Sequence, residues 1–560
     1  MGAAVGRVVD PSVNAAIREG EQVTIDHIRI WNRALAALAV TTALSTSVAA
    51  AENDDAKTRT PIKHLVVIFF ENHTFDNYFA TYPNAANPPG EPKFVAEEDT
   101  PTVNGLTAGL LTNNPNAANP QRLDRVAGDL VTCSNDHDYT DEQKAVAGGL
   151  MNNFDLLSCT DHLALNYYDG NTVTALWNYA QHFALNDNSF GTTFGPSTPG
   201  AINLISGQTH AIGTFKTLDD ASGDLKSDVL LAQATIIGDP DPLYDDCGSP
   251  DQAGFEANGA LDNHNIGDLL NQKGLTWGWF QGGFTPTGAV AGKAVCNATT
   301  VGHPGVDPTN PADPVHKATS AYSAHHDPFM YYLHSANPHH LPPTSATNVG
   351  KTDQAMHQYE LSLFFDAVDN GRMPAVSYLK PARAQDDHPN NSDPLSAQMF
   401  LVDTLNHLQR SRYWPSTAVI IAWDDSDGWY DHVTGPILNP SNVPKVDVVA
   451  GPTCGTPATG AYLGRCGYGP RLPLMVVSPW ARPNFVDHTT TDQTSILRFI
   501  EDNWNLGRID DLDHPSGTTA GQTSFDQLAG PIDNMFDFSD GPRRERLFLD
   551  DLTGRVIDRD

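Results

Sequence analysis

Apolar residues gather along this chain in short unbroken runs: His64 to Phe70 (HLVVIFF), Leu275 to Phe280, Ala375 to Leu379, Ala418 to Trp423 (AVIIAW) and Leu472 to Val477 (LPLMVV). Runs of that length predict strands, and continuous rather than alternating apolarity predicts a sheet covered on both faces. Between them the apolar positions change to helical spacing. One such segment follows Asp393-Pro394, an N-cap and first-turn pair, and extends to about Arg410. Others cover Thr174 to Phe183, Tyr359 to Val368 and Thr494 to Trp504. Strands alternating with helices predict an α/β fold with a mostly parallel central sheet covered by helices. The stretches 84–120, 212–262 and 281–320 are rich in Asn, Pro, Gly and Asp and lack periodicity, which predicts long loop insertions on one domain. There are no internal repeats. The segment 521–560 is polar and acidic with isolated aromatics and carries no predicted role.

The N-terminus changes the picture. Arg29 and Arg33 precede an apolar run from Ala34 to Leu44; small residues follow at Ser47 to Ala51, then the acidic Glu52-Asn53-Asp54-Asp55. That order predicts a signal peptide within 1–51, preceded by an N-terminal extension and cleaved near Ala50 or Ala51, and a secreted or periplasmic mature protein. The run is too short to span a bilayer comfortably, so stable membrane insertion is not expected. The catalytic domain is placed at 52–520. Six cysteines in an exported chain predict disulfides; fifteen connectivities are open, and pairing of sequence neighbours is the expectation. With 560 residues, 40% hydrophobic and nine Trp, the chain has ample material for a folded core. A formal charge of −34 excludes electrostatically driven binding to nucleic acid or anionic lipid. Neutral and zwitterionic substrates stay open, and a phosphorylated one needs a local positive centre.

Two runs end in acid. The strand closing on Phe70 is followed by Glu71-Asn72, and the one closing on Trp423 by Asp424-Asp425. Ligands of open α/β sheets gather at the carboxyl ends of strands. Either segment alone reads equally as a polar turn capping a strand; together, adjacent carboxylates that repel unless neutralised predict a cation, and oxygen-only ligands predict a hard one. A third segment, Gly195-Pro196-Ser197-Thr198-Pro199, reads as a tight turn around two hydroxyls. It departs from the G-x-S-x-G elbow of serine esterases at Pro199 and lacks the preceding apolar strand. His137, His325, His326 and His388 lie beside carboxylates in loop sequence, placing them as candidates for proton transfer and phosphate binding.

Glu71-Asn72-His-Thr-Phe-Asp-Asn-Tyr-Phe, the Gly-Pro-Ser turn with its downstream Ser206-Gly207, His325-His326-Asp-Pro-Phe, Asp424-Asp425-Ser-Asp-Gly-Trp-Tyr-Asp-His and Gly469-Pro-Arg-Leu-Pro-Leu-Met-Val-Val resemble the bacterial phosphoesterase family. That family unites acid phosphatases that inhibit the respiratory burst with phosphatidylcholine-preferring phospholipases C. The resemblance runs from about residue 61 to 506. It implies an alkaline phosphatase-like sandwich and one divalent metal ion on Glu71, Asn72, Asp424, Asp425 and Ser197. It also implies Ser197 as nucleophile, and His137, His325, His326 and His388 lining the phosphate pocket, with His326 or His388 as proton donor. Asn-Arg often follows the Ser-x-Pro of the family; here Gly200-Ala201 stands there.

A coordinated serine forming a phosphoserine intermediate that water then hydrolyses fits these residues. The Asp424-Asp425-Ser426-Asp427-Gly428 segment points to the acid phosphatase branch, with hydrolysis of small phosphomonoesters and an acidic optimum. The alternatives are a phospholipase C acting on a phospholipid head group and a non-catalytic secreted binding protein.

Overall fold

The computed structural model describes residues 57–209, 236, 238–242, 245–248, 264–302, 318–440, 453–455, 466–509 and 524–559. The signal-like segment and most of the 212–262 stretch lie outside these residues.

Eight strands form the central sheet: β1 (His64–Phe70), β2 (Ala184–Asn186), β3 (Trp277–Gln281), β4 (Gln358–Glu360), β5 (Val376–Lys380), β6 (Thr417–Trp423), β7 (Leu474–Val477) and β8 (Phe485–Asp487). Their spatial order is β8-β2-β7-β6-β1-β5-β3-β4. The run β6-β1-β5-β3-β4 is parallel, while β7 is antiparallel to both β6 and β2. The expected strands all form, because residues such as Leu65, Val67, Ile420 and Val476 are wholly buried and need cover on both faces. Three strands were not expected. β2, β4 and β8 are three residues long, too short to make an apolar run.

Helices pack around this sheet, among them α1 (Tyr139–Val146), α2 (Thr174–His182), α3 (Ser197–Ser206), α4 (Ser362–Asp369), α5 (Pro394–Arg410) and α6 (Gln493–Trp504). The α5 start is as expected: Asp393 Oδ1 accepts from the backbone N–H groups of Leu395 and Ser396, and Pro394 takes the first position. The supposed turn around Ser197 is a correction. Only Gly195-Pro196 turns, with Gly195 at φ +113°, and Ser197 opens a ten-residue helix that tolerates Pro199 in its first turn. The stretch 281–320 also carries structure, a hairpin of Gly288–Val290 and Lys293–Val295.

Cys133 pairs with Cys159, Cys247 with Cys296 and Cys454 with Cys466, the expected neighbour pairing. The C-terminal segment packs against the body. A hairpin of β9 (Leu547–Leu549) and β10 (Val556–Arg559) docks on α5, where Gln409 exchanges two hydrogen bonds with the backbone of Leu547 and Asn406 donates to Leu549 O. No helix among the described residues is long and apolar enough to cross a membrane.

Candidate functional site

Strand register builds the site. Phe70 of β1 pairs with Trp423 of β6, so the next residues, Glu71 and Asp424, leave the sheet at one level. On the other side of β1, Ile68 pairs with Leu379, which brings Lys380 alongside Phe69. Three neighbouring parallel strands thus deliver two carboxylates and an ammonium to one edge of the sheet. The turn after each strand adds the rest. Asn72 adopts φ +62°, a left-handed conformation Asn tolerates, and its backbone N–H donates to Asp424 Oδ1 at 3.1 Å.

Ser197 reaches this edge from the start of α3. Its Oγ lies 2.9 Å from Asp425 Oδ2, 3.0 Å from Glu71 Oε2 and 3.4 Å from Asn72 Oδ1. One hydroxyl hydrogen serves one acceptor, so the site holds more oxygens than it has protons to share. Asn72 is turned to fit: its Nδ2 donates to Asp427 Oδ1 at 3.4 Å, which leaves Oδ1 facing Ser197. Glu71, Asp424 and Asp425 are all buried, each with an oxygen within 4.8 Å of the others. Burial, then Glu71, pushes the Asp424 carboxyl up to about 7; burial, then Asp424, raises Asp425 well above the ordinary carboxylate range. Such a set is ionised comfortably only around a cation, so these residues fit a hard divalent ion. The structure brings together all five residues expected to hold the ion.

Two buried groups fix the frame. Glu142 of α1 accepts from Gly195 N at 2.7 Å and from Ser426 Oγ, joining the turn before Ser197 to the Asp424-Asp425 loop. Gln493, first residue of α6, donates to Asp424 O at 2.6 Å.

The four histidines divide into two kinds. At His137, burial is outweighed by Asp425 and Asp427, which hold the imidazole well above its ordinary value. Its Nδ1 lies 2.8 Å from Asn135 O and its Nε2 3.5 Å from Asn72 Nδ2. His325, 3.5 Å from Asp241, is likewise raised against burial. At His326 burial wins, helped by His325 and Lys380, and the pKa falls well below the ordinary value. His388 is also lowered, chiefly by burial. His326 Nδ1 lies 3.1 Å from Glu71 Oε1 and its ring 4.4 Å from that of His325; His388 stands 6.5 Å from His137.

Lys380, Asp386, Asp427 and Glu142 also reach the site, with no site role assigned to them from the sequence. Asp427 accepts from Ser134 Oγ at 2.7 Å and Asn135 N at 3.0 Å, which is how the loop bearing His137 reaches the site. Lys380 had a signal, since it ends an apolar strand at the same edge as Glu71, but a lysine in that place is ordinarily solvated.

The profile of the phosphoesterase family matches residues 62–507. Non-hemolytic phospholipase C of Burkholderia pseudomallei is 36% identical over 141 residues, a quarter of this chain (25%) and a fifth (20%) of that protein. Phospholipase C B of Mycobacterium tuberculosis is 24% identical over 513 residues, covering 87% of this chain and 82% of the relative. Non-specific phospholipase C1 of Arabidopsis thaliana is 27% identical over 204 residues, 34% of each chain.

Proposed function

The chain belongs to the phosphoesterase family, and on that premise we propose that this hydrolase of phosphoric esters is a phospholipase C that cleaves zwitterionic, phosphatidylcholine-type diesters through Ser197. The observation that carries the mechanism is Ser197 Oγ set among the oxygens of Glu71, Asn72 and Asp425 within 3.4 Å. One divalent ion held by Glu71, Asn72, Asp424, Asp425 and Ser197 would lower the pKa of the hydroxyl and offset charge on the phosphoryl oxygens. Asp425 Oδ2, at 2.9 Å, is the nearest acceptor for the Ser197 proton. Oγ then attacks phosphorus, the bond from phosphorus to the glycerol oxygen breaks, and diacylglycerol leaves with a proton. Water cleaves the bond from Oγ to phosphorus and frees phosphorylcholine.

The proton for the leaving oxygen is better drawn from His325 than from His326 or His388. At His325 the carboxylates of Asp241 and Asp239 outweigh burial and raise the imidazole, whereas burial lowers the other two. His326, with Nδ1 3.1 Å from Glu71 Oε1, orients that carboxylate.

The substrate class rests on the relatives, which are named phospholipases C, and on charge. A field of −34 penalises a dianionic monoester more than a zwitterionic head group. The acid phosphatase reading stays second, favoured by Asp425 directly after Asp424 and by Gly200-Ala201 in place of Asn-Arg. Hydrolysis of nitrophenyl phosphorylcholine beside nitrophenyl phosphate, with and without chelator, separates them. The diester should give the higher kcat/KM and lose activity in chelator. A higher kcat/KM on the monoester returns the protein to the phosphatases, and no turnover of either leaves the binding-protein reading. Export to the cell envelope or medium belongs to the same proposal.

A further inference from the structure

We propose that Lys380 is a built-in cation occupying the place of a second metal ion, so that its ammonium restricts this site to one divalent ion. The inference rests on the metal reading above. Many phosphoesterases clamp the reacting phosphate between two ions roughly 3.5–4 Å apart, joined by a shared carboxylate. Glu71 is placed as such a bridge. Its Oε2 faces Ser197, while its Oε1 faces the Lys380 Nζ, in contact, and His326 Nδ1 at 3.1 Å. Beyond them lies Asp386, whose Oδ2 is 3.8 Å from His326 Nδ1, wholly buried, and without a hydrogen-bond partner among the described residues. Glu71, His326 and Asp386 each offer one ligand atom, all within 4.8 Å of one another, a second donor set beside that of Glu71, Asp424 and Asp425.

Two donor sets sharing a carboxylate would hold two ions, were the second not already served. Lys380, with a side chain 1% exposed, puts its ammonium on Glu71 Oε1, the oxygen that also faces His326, and 3.4 Å from Asp424 Oδ2, over the Phe69 ring at 5.2 Å. A second divalent ion would sit against that fixed positive charge and compete with it for Glu71 Oε1. An ammonium also cannot be lost to a chelator, which leaves half of the clamp permanent. A lysine present only as a counter-ion would give its place to nothing when removed. One that fills a cation site would give it to a cation.

Metal-stripped protein, dialysed against excess manganese(II) and passed through gel filtration, should retain one ion per chain by elemental mass spectrometry. Lys380→Met should retain two, and Lys380→Met/Asp386→Asn should return to one. Two ions in the wild type, or one in a folded Lys380→Met, overturn the proposal. Should Lys380→Met fail to fold, Asp386→Asn alone decides: it should keep the single ion, and loss of that ion would assign Asp386 to the first site and sink the inference. No ion retained by the wild type instead removes the metal reading on which all of this stands.

Discussion

Ser197 and Thr198 are adjacent hydroxyls with different surroundings. The first faces the carboxylates; the second lies 3.5 Å from the Tyr331 hydroxyl, and its backbone N–H donates to Asp239 at 2.8 Å. Ser197→Ala should therefore cut kcat by on the order of 10³-fold or more with an unchanged circular dichroism spectrum, while Thr198→Ala stays within about tenfold. A dead Thr198 variant beside an active Ser197 variant would mean the wrong hydroxyl was chosen. Glu142 allows a second test. Burial pushes its carboxyl up to about 7, against an unfolded value of about 4.3. The folded state therefore binds the proton more tightly. Its contribution to stability is fully present below the unfolded value and is lost as pH rises through about 7. Asp387, likewise pushed up to about 7 by burial, adds to the trend. The melting temperature should fall between pH 5 and 8, and Glu142→Gln should flatten part of that slope; an identical slope in the variant contradicts the assignment. At this scale the sequence was readable where chemistry is concentrated, at Glu71-Asn72 and Asp424-Asp425. Lys380, Asp386 and Glu142 act only through neighbours that folding brings to them, from other strands and from α1.

Among elements, the close approach of α3 to the end of β6 decides how Ser197 meets Glu71, Asn72 and Asp425. A Cβ on Gly200 would lie 2.1 Å from Asp424 O and 2.8 Å from its carbonyl carbon. This gives Gly200-Ala201, the departure from the family pattern, a packing reason. Gly200→Ala should push the helix away, cost about 1–3 kcal/mol in denaturant unfolding and release the metal at lower chelator concentration. Unchanged stability and metal retention would show that the backbones do not meet this way. The motif residues Asp76, Asp431 and Arg471 also belong here. Buried Arg471 donates to Asp76 at 2.9 Å and to Asp431 at 3.0 Å, tying the segment after β1 to the loop after β6. In sequence they look as reactive as their neighbours; in the fold they tie the short helix Phe75–Phe79 to the loop after β6. Long apolar strands announced themselves, whereas β2, β4 and β8 owe their pairing to the sheet around them, which no local pattern records.

For the molecule as a whole, the acidic charge, the three disulfides and the signal-like segment describe one setting. Oxidised protein denatured without reductant should titrate no thiol, and the cell-envelope or medium fraction should contain it; six free thiols in protein from that fraction would refute the export reading. The C-terminal segment shows what composition concealed: its scattered apolar residues, such as Leu547 and Leu549, are buried, and Phe536 stacks on Phe499 of α6 at 5.3 Å. The claim that joins all scales is a covalent intermediate on the first residue of α3. Metal-loaded enzyme mixed with excess nitrophenyl phosphorylcholine and quenched in acid within one turnover can be digested and read by mass spectrometry. The peptide containing Ser197 should carry a phosphorylcholine group, absent in Ser197→Ala. Product release with no adduct, or an adduct on another residue, would contradict the account.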